Sequence, residues 1–491
     1  MQSTSKIVLP YAPILVESTR SIGYSFESAL ADIIDNSLGK NATEINVIFS
    51  SKDPQLVAVI DNGVGMSEDE LESAMRYGSK SSLDVRDKDD LGRFGLGLKT
   101  ASLSQCRKLT VITKKDGQYN AACWDLDHII QKKDWSLICY STEEAMNLQL
   151  ASYLNDYESG TIVIWQMFDR IIDGTANPQK VFDEKIERAR SHVSLVFHRY
   201  MDNESIGNRV RIYFNNEIVD PIDPFLTTNA ATQPLTEQTL RIEGSVIRVK
   251  PYILPFASKV SAKEKKKLGE LSDLRSNQGF YIYRNKRLII WGTWFRLIKS
   301  QELNKLARIR VDIPNTLDSI WDIDIKKSTA SLPDVIKRNL VAVVENSIGR
   351  SEWVYKYRGR TSSHDNLQHV WETIDNRGKF QYQVNRENPL YKMLEETLDD
   401  TSRGYLDSFV KALEDAFPYG DVYYRLAKDE NTIDRSGMEF DEVYQVGADM
   451  VESYKKMGRN VSHLLKNLDQ IDYFVRYPEV VKKIREDYGD E

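Results

Sequence analysis

The chain contains few cysteines and histidines, and it lacks long apolar runs. Its 491 residues include three cysteines (Cys106, Cys123 and Cys139) and six histidines. The cysteines lie far apart without a Cys-x-x-Cys pair, which argues against a zinc site and against a disulfide framework. No uninterrupted apolar run approaches the roughly 20 residues that span a bilayer, and the first ten residues lack the apolar core of a signal peptide. We therefore expect a protein of the reducing cytoplasm without membrane contact.

Two common phosphate-binding patterns are also missing. The sequence Gly-x-x-x-x-Gly-Lys-Ser/Thr occurs nowhere in the chain, and the glycine cluster that begins at Gly92 has the spacing Gly-x-x-Gly-x-Gly. The first absence argues against a P-loop, and the second spacing differs from the Rossmann pattern. Any nucleotide site must therefore be built in another way.

A short helical stretch contains the first candidate residues. The apolar residues between Phe26 and Ile34 have the spacing of one buried helical face. Asp32 and Asn36 are four residues apart, so both project from a neighbouring face of the same helix. Asp32 has the chemistry to orient and deprotonate a water molecule, and the Asn36 amide oxygen suits the hard cation Mg²⁺. The alternative is a solvated polar face on an amphipathic helix.

The next candidate is an acid at the end of a strand. Residues 45–49 and 56–60 read as two strands joined in hairpin fashion, and the second runs directly into Asp61. A carboxylate in this position can accept a hydrogen bond from the adenine amino group. Gly63 and Gly65 then allow the backbone to turn and a ligand to approach closely. The alternative is an ordinary Asx-type turn.

A glycine-rich segment follows, and we interpret it as a phosphate loop. Residues 92–99 contain three glycines and continue as a helix. Such a segment offers free backbone N–H groups and a favourable helix dipole to phosphates. Between the two glycine clusters, the polar segment 77–90 can supply little core. We interpret it as a mobile lid over the nucleotide.

In this order, the segments resemble the Bergerat-fold ATPases of the GHKL superfamily, which includes gyrase B, heat-shock chaperone, histidine kinase and MutL-type proteins. The resemblance implies an α+β fold, a two-layer α/β sandwich that binds ATP and Mg²⁺. It implies Asp32 as general base, Asn36 as metal ligand and Asp61 as adenine contact. Thr161, at the start of the strand-like residues 160–165, matches the adenine-contacting threonine of the family. Hydrolysing relatives usually have Glu at the position of Asp32, so the resemblance supports ATP binding more than hydrolysis.

The resemblance also implies the remaining nucleotide contacts. They come from the two glycine clusters and from the segment between them, and they are Gly63, Gly65, Met66, Lys80, Gly92, Arg93, Phe94, Gly95, Leu96, Gly97, Leu98 and Lys99.

The residues that follow this pocket in the sequence resemble the ribosomal-protein-S5-like transducer domain of the same superfamily. Residues 278–290 read as a strand, a tight basic turn and another strand. In gyrase and MutL a transducer lysine reaches the terminal phosphate. The equivalent here is Lys327, with Lys326 as the second choice, and an ammonium group responds to loss of a phosphoryl group. The alternative is a pair of surface charges.

The branch of the superfamily is indicated by the segments 20–30 and 77–81, which look most like MORC and its prokaryotic MORC-like/MutL-like relatives. This resemblance covers roughly residues 10–345. No histidine precedes the pocket, which argues against a histidine kinase with a phosphoacceptor helix in front of its ATP domain. Prokaryotic MORC-like ATPases are associated with restriction-modification and anti-phage defence.

Charge is distributed unevenly along the chain. The net charge is −7, and residues 380–491 contain 24 acidic and 15 basic side chains, a net of −9 that leaves +2 for residues 1–379. Basic segments at 259–267 and 296–310 could line a DNA-facing channel. The alternative is a solvated loop. The acidic C-terminal part has helical patterns and no catalytic constellation, which favours a protein contact there.

We therefore predict three domains: a GHKL ATP-binding domain with an N-terminal arm (1–170), a transducer domain (171–345) and a mostly helical partner or dimerisation domain (346–491). ATP binding would join two copies into a homodimeric clamp or switch that works with a separate effector protein in prokaryotic DNA defence. Two alternatives stay open: a chaperone-like ATPase that acts on protein clients, and an ATP-binding scaffold with negligible turnover.

Overall fold

The computed structural model divides the chain into two compact units, residues 1–356 and 357–491. The described residues are 10–21, 23–78, 97–170, 176–202, 209–242, 244–256, 259–298, 304–314, 340, 343–344, 368–376, 379–422 and 439–489. The division into three domains at residues 170 and 345 stays a prediction.

An eight-stranded mixed sheet forms the first part of unit 1. Its strands are β1 (Glu44–Ser50), β2 (Leu56–Asp61), β3 (Lys108–Lys115), β4 (Gln118–Asp125), β5 (Ile138–Tyr140), β6 (Gly160–Gln166), β7 (Arg211–Phe214) and β8 (Glu217–Ile218). Their order across the sheet is β5-β4-β3-β6-β2-β1-β7-β8. β1 and β2 form the predicted antiparallel hairpin, and β7 is parallel to β1. The first sheet therefore continues beyond residue 170.

In the described part of this region, eight helices accompany the sheet. They are α1 (Ala12–Arg20), α2 (Phe26–Leu38), α3 (Glu68–Met75), α4 (Gly97–Gln105), α5 (Leu126–Lys132), α6 (Thr142–Asn147), α7 (Pro178–Val196) and α8 (His198–Met201). Helix α2 begins after Ser25, whose side chain accepts a hydrogen bond from the Ser28 N–H over 3.2 Å. This is a standard N-cap, and it fixes where the helix starts. Its predicted apolar face is buried in the main core.

Strand β2 lies between two hydrophobic clusters. Val57 and Val59 belong to the main core, which also contains the apolar face of α2. Ala58 and Ile60 belong to a smaller cluster on the other face of the sheet, which includes residues of the 3₁₀ turn Ala151–Asp156. Because alternate residues of a strand point to opposite faces, all six residues of β2 are buried. The arrangement confirms the predicted α+β class.

A second sheet occupies the region that was predicted as a transducer. Its strands are β9 (Gln233–Pro234), β10 (Gln238–Ile242), β11 (Ser245–Ile253), β12 (Gly279–Arg284), β13 (Arg287–Thr293) and β14 (Ala307–Ile313), with α9 (Ala262–Leu268) beside them. The order is β10-β11-β14-β12-β13, and β9 pairs with β11. The predicted strand–turn–strand is the β12–β13 hairpin. Its buried residues belong to the same core as those of the first sheet.

Unit 2 is mainly helical, as predicted. It contains α10 (Pro389–Thr397), α11 (Asp400–Asp415), α12 (Phe440–Lys456), α13 (Val461–Asn467) and α14 (Pro478–Tyr488). A hairpin of β15 (Trp371–Asn376) and β16 (Lys379–Val384) precedes them and was not predicted. Helices α10, α12, α13 and α14 share a core of their own around Val443, Met450 and Phe474. Across the described parts of both units, no helix combines the length and the apolar character that crossing a bilayer requires.

Candidate functional site

Helix α2 places Asp32 and Asn36 in different surroundings. Asp32 is only 6% exposed, whereas Asn36 is exposed. Four residues are slightly more than one helical turn, so the two side chains remain neighbours along the axis while their surroundings differ. The buried carboxylate has fixed partners, and the exposed amide can offer its oxygen to a ligand.

Asp32 lies between two side chains from other parts of the fold. The Tyr24 hydroxyl donates to Asp32 Oδ2 over 3.0 Å, and Arg287 Nη2 lies 3.7 Å from Asp32 Oδ1. Burial, followed by the Asp32 carboxylate, raises the pKa of Tyr24 well above its usual range. Tyr24 therefore remains a hydrogen-bond donor at neutral pH, and it orients the carboxylate.

Arg287 also forms an ion pair with Asp35, which the sequence analysis did not single out. Arg287 Nε lies 2.7 Å from Asp35 Oδ2, and the two side chains are 7% and 3% exposed. The guanidinium carbon is 5.5 Å from the centre of the Phe197 ring. Arg287 is the first residue of β13, so this contact joins the second sheet to α2. The basic turn was visible in the sequence, but only the fold brings its last arginine to the buried acids.

Asp61 ends β2 inside a network of hydrogen bonds. The Ser37 hydroxyl donates to Asp61 Oδ2 over 2.7 Å, and the Gly63 N–H donates to Oδ1 over 2.9 Å. Burial raises the pKa of Asp61, while the hydrogen bonds from Ser37, Gly63 and the Thr161 backbone oppose that shift. The carboxyl group is thus held in one orientation at the end of the strand.

Thr161 lies opposite Asp61, because the two residues pair across β2 and β6. The Thr161 hydroxyl is 3.3 Å from that of Thr113, which donates to the Gly160 carbonyl over 3.0 Å. Thr113 was missed by the sequence analysis. It is one of two threonines in β3, and only the strand register places it beside Thr161.

The turn after β2 depends on Gly65. Its φ is +64°, and a Cβ there would lie 2.1 Å from the carbonyl oxygen of Lys114. Only glycine allows this approach of the turn to β3. The close packing lets the Met66 N–H donate to the Thr113 hydroxyl over 2.8 Å. Two of the predicted nucleotide residues, Gly65 and Met66, therefore fix the turn against the threonine pair.

Lys99 points into the protein. It lies in the first turn of α4, after Gly97 and Leu98, and its ammonium group donates to the Ala74 carbonyl over 2.8 Å. The side chain is buried, and burial lowers the pKa of Lys99 to about 8. In this arrangement Lys99 joins α4 to the end of α3.

Several predicted site residues lie outside the described residues. They are Lys80, the phosphate-loop residues Gly92, Arg93, Phe94, Gly95 and Leu96, and the candidate phosphate sensors Lys326 and Lys327. The roles assigned to them stay predictions, as does the lid proposed for residues 77–90.

The donor chemistry of the described site fits a cation that binds together with a nucleotide. Among the residues that the structure describes, no group of three or more His, Cys, Asp and Glu side chains could hold a metal ion. Mg²⁺ commonly takes one or two oxygens from the protein and the rest from phosphates and water. The exposed amide oxygen of Asn36 can fill such a position.

Comparison with known families matches this same region of the chain. Residues 24–161 match the family described as "Histidine kinase-, DNA gyrase B-, and HSP90-like ATPase". The matched range begins at Tyr24 and ends at Thr161. It contains Asp32 and Asp35 of α2 and the whole Asp61 network, and it excludes Arg287.

Three curated relatives match about a fifth of the chain. ATPase morc-1 of Caenorhabditis elegans is 31% identical over 91 residues, which is 18% of this chain and 10% of that protein. DNA mismatch repair protein MutL of Chlorobaculum tepidum is 37% identical over 92 residues, 18% of this chain and 15% of its own length. Putative MutL protein homolog 1 of Schizosaccharomyces pombe is 34% identical over 97 residues, 19% of this chain and 14% of its own length. The chain therefore matches only a small share of the length of these relatives.

The mixed sheet, the acidic helix α2 and the strand-end network together define a GHKL-type domain. Residues 24–161 belong to the histidine kinase-, DNA gyrase B- and HSP90-like ATPases, and MORC and MutL proteins are relatives of this segment. The predicted family is thereby confirmed.

Proposed function

We propose that the protein binds ATP at the end of β2 and hydrolyses it with Mg²⁺. The observation that carries this proposal is the buried Asp61 carboxylate, which Ser37 and Gly63 hold opposite Thr161 inside a domain of an ATPase family. A fixed carboxylate accepts a hydrogen bond from an exocyclic amino group, and a hydroxyl beside it can donate or accept. Such a pair favours adenine over a ring without that amino group.

Asn36 is the residue that would hold Mg²⁺ in this proposal. Its amide oxygen is a hard, neutral donor on the exposed side of α2. Bound Mg²⁺ neutralises phosphate charge and orients the phosphates. Because Asn36 lies one turn from Asp32, one rigid helix positions both the metal ligand and the base.

Asp32 acts as the general base in this proposal. Tyr24 and Arg287 orient its carboxylate from two sides, at 3.0 and 3.7 Å. The carboxylate accepts a proton from the attacking water, which thereby becomes the better nucleophile. Asp is one methylene shorter than the Glu of hydrolysing relatives, so the water must bind closer to α2.

The first experiment measures ATP turnover and nucleotide affinity in the parent protein, Asp32→Ala and Asn36→Ala. We expect Asp32→Ala to lower kcat by at least about 100-fold, because a general base contributes about that factor or more. Its Kd for ATP should change less than about threefold. Asn36→Ala should remove the part of ATP affinity that depends on Mg²⁺, so that the variant binds equally well with Mg²⁺ and with EDTA.

Asn147→Ala is the matched control, because Asn147 is an exposed amide on α6 that donates to the Glu143 carbonyl. It should behave as the parent in both assays. Turnover of the parent no faster than that of Asp32→Ala would show that the protein is not an ATPase. Unchanged Mg²⁺-dependent affinity in Asn36→Ala would show that Asn36 is not the metal ligand.

The proposal extends to a nucleotide-gated dimeric clamp that works with an effector protein in prokaryotic DNA defence. ATP binding would join two copies, and loss of phosphate sensed by Lys327 would release them. Two observations support this role. Arg287 joins the second sheet to α2, and α9 carries four exposed lysines that suit a DNA backbone. The relative named as a DNA mismatch repair protein favours DNA as a ligand.

A scaffold that binds ATP with negligible turnover is the second candidate. The observation that favours it is the short side chain of Asp32, which is buried and contacts both Tyr24 and Arg287. The Asp32→Ala comparison decides between the two candidates. A chaperone-like ATPase would hydrolyse ATP without any response to DNA.

A further inference from the structure

Two residues of α8, Arg199 and Tyr200, contact the β12–β13 hairpin near its tip. The Tyr200 hydroxyl donates to the Asn285 carbonyl in the turn. The Arg199 guanidinium carbon is 4.9 Å from the centre of the Tyr283 ring in β12. Asn285 and Lys286 have φ values of +47° and +67°, and a turn with two left-handed residues gives a tight two-residue hairpin. The residue that follows this turn, Arg287, therefore starts β13 in a fixed direction.

The Arg287 side chain extends from this fixed position to two carboxylates on α2. Its Nε reaches Asp35 at 2.7 Å and its Nη2 reaches Asp32 at 3.7 Å, and all three side chains are nearly inaccessible to solvent. His192 lies near the same group, and burial together with Arg287 lowers the pKa of His192 to about 4. His192 is therefore neutral at pH 7, and Arg287 supplies the positive charge beside the two carboxylates.

We infer that Arg287 is a positioning residue that joins the second sheet to α2 and sets the Asp32 carboxylate for proton transfer. The inference rests on the proposed ATPase function. A fork of guanidinium nitrogens can contact two carboxylates at once, whereas an ammonium group is a point charge. Any movement of the hairpin carries Arg287 with it, so the position of the second sheet is transmitted to the base.

The surroundings of Asp32 make the orientation of its carboxylate sensitive to Arg287. Its carboxylate is closer to the helix than that of a glutamate, and Tyr24 holds its other oxygen. A misplacement of about 1 Å at a catalytic group costs about 100-fold in rate. The loss of an orienting contact should therefore affect the chemical step more than nucleotide binding.

The second sheet contains a buried arginine that serves as a matched control. Arg308, in β14, donates to the main-chain carbonyls of Pro224 and Leu271 and lies 5.4 Å from the Tyr281 ring. It is more deeply buried than Arg287, at 0% against 6% exposed. Its hydrogen-bond partners lie outside α2, so its removal tests the cost of losing a buried arginine alone.

The test compares Arg287→Lys, Arg287→Met and Arg308→Met with the parent protein. We expect Arg287→Met to lower kcat by about tenfold to 100-fold, with the Kd for ATP changed less than about threefold. Arg287→Lys keeps the charge but not the fork of nitrogens, so it should recover about threefold of that loss and stay at least about threefold below the parent. Arg308→Met should lower the thermal midpoint but leave kcat within about twofold at a temperature where every variant is folded.

A kcat within about twofold of the parent in both Arg287 variants would overturn the inference. If Arg287→Met does not fold, Arg287→Lys alone decides by the same criterion. If the parent hydrolyses ATP no faster than Asp32→Ala, the ATPase proposal fails. Hydrogen exchange of the backbone amides of residues 26–38 then tests separately whether Arg287 links the second sheet to α2. Faster exchange in Arg287→Lys than in Arg308→Met supports the link, and equal exchange overturns it.

Discussion

At the scale of single residues, the site consists of polar groups that the fold holds in fixed orientations. Asp61 accepts hydrogen bonds from Ser37 and Gly63, and Asp32 accepts one from Tyr24. Buried polar groups need such partners, because an unsatisfied one destabilises the fold by about 1–3 kcal/mol. The same contacts pre-orient the acids for a ligand, so stability and recognition depend on the same bonds.

Lys99 gives a pH-dependent prediction at this scale. Burial lowers its pKa from 10.5 to about 8. Between these values the unfolded chain holds a proton that the folded chain has released, so stability from this group rises with pH across that window. In Lys99→Met, which keeps most of the volume, this dependence should vanish.

The measurement is urea unfolding of both proteins between pH 7 and pH 10. The free energy of unfolding of the parent, relative to Lys99→Met, should increase by about 1–3 kcal/mol over this range. Other titrating groups are common to both proteins and cancel in the difference. A difference that stays constant with pH would contradict the lowered pKa.

Residues of the site were predictable from the sequence where the pattern of adjacent residues indicated the element on which they lie. Asp32, Asn36 and Asp61 lie in local patterns, a helical stripe and a strand end. Thr113 was missed because it meets the site by pairing with a distant strand, and Arg287 because its side chain reaches α2 from the second sheet. Residue type and spacing do not encode such contacts until strand order and register are known.

At the scale of elements, a buried arginine joins helix α1 to the domain, beside the apolar packing of Ala12 and Val16 in the main core. Arg20 is buried, its Nε donates to the Leu103 carbonyl at 2.7 Å, and its Nη2 lies 2.5 Å from Asp169 Oδ1. Through these contacts α1 rests on α4 and on the residues that follow β6. Within the predicted N-terminal arm, the described residues 10–21 thus lie against their own chain.

Arg20→Met should therefore lower the free energy of unfolding by about 1–3 kcal/mol, because the Leu103 carbonyl loses its donor, while Asp169 retains Arg107 at 3.5 Å. Arg107→Met is the control, since Arg107 belongs to the same ion cluster but is 23% exposed. That change should cost about 1 kcal/mol or less. Urea unfolding measures both, and limited proteolysis after α1 shows whether the helix is released. Equal costs would mean that Arg20 does not hold α1.

Elements with strong local periodicity were predicted closely. α2, the β1–β2 hairpin and the β12–β13 hairpin all have an apolar pattern flanked by turn residues. The β15–β16 hairpin was missed, because its strands contain charged and amide side chains and several of its large apolar residues, including Trp371 and Phe380, are exposed. Its pairing is visible only once the strands are aligned.

At the scale of the whole molecule, positive and negative charge are separated along the chain. Residues 380–491 have a net charge of −9 and the rest a net charge of +2. The exposed lysines at 263, 265, 266 and 267 on α9 place four positive charges within five residues of the described surface. If DNA is the ligand, this is the place where its phosphates should be bound.

The prediction is that the double change Lys263→Glu and Lys266→Glu weakens binding of duplex DNA by at least about tenfold and makes the salt dependence shallower. The control reverses Lys482 and Lys483 on α14, which lie in the acidic unit. Fluorescence anisotropy at two salt concentrations measures both effects. Equal losses in the two variants would show that binding is not localised to α9. If the parent protein does not bind DNA, this result would favour the chaperone-like alternative.

The parallel pairing of β7 with β1 has a consequence for synthesis of the chain. β1 ends at residue 50, and its partner on that side begins only at residue 211. Until the ribosome has released that later segment, the outer edge of β1 presents unpaired backbone groups to any other strand nearby. The nascent protein is therefore exposed to mispairing over a long stretch of translation. Fragments that stop near residue 170 keep this open edge permanently.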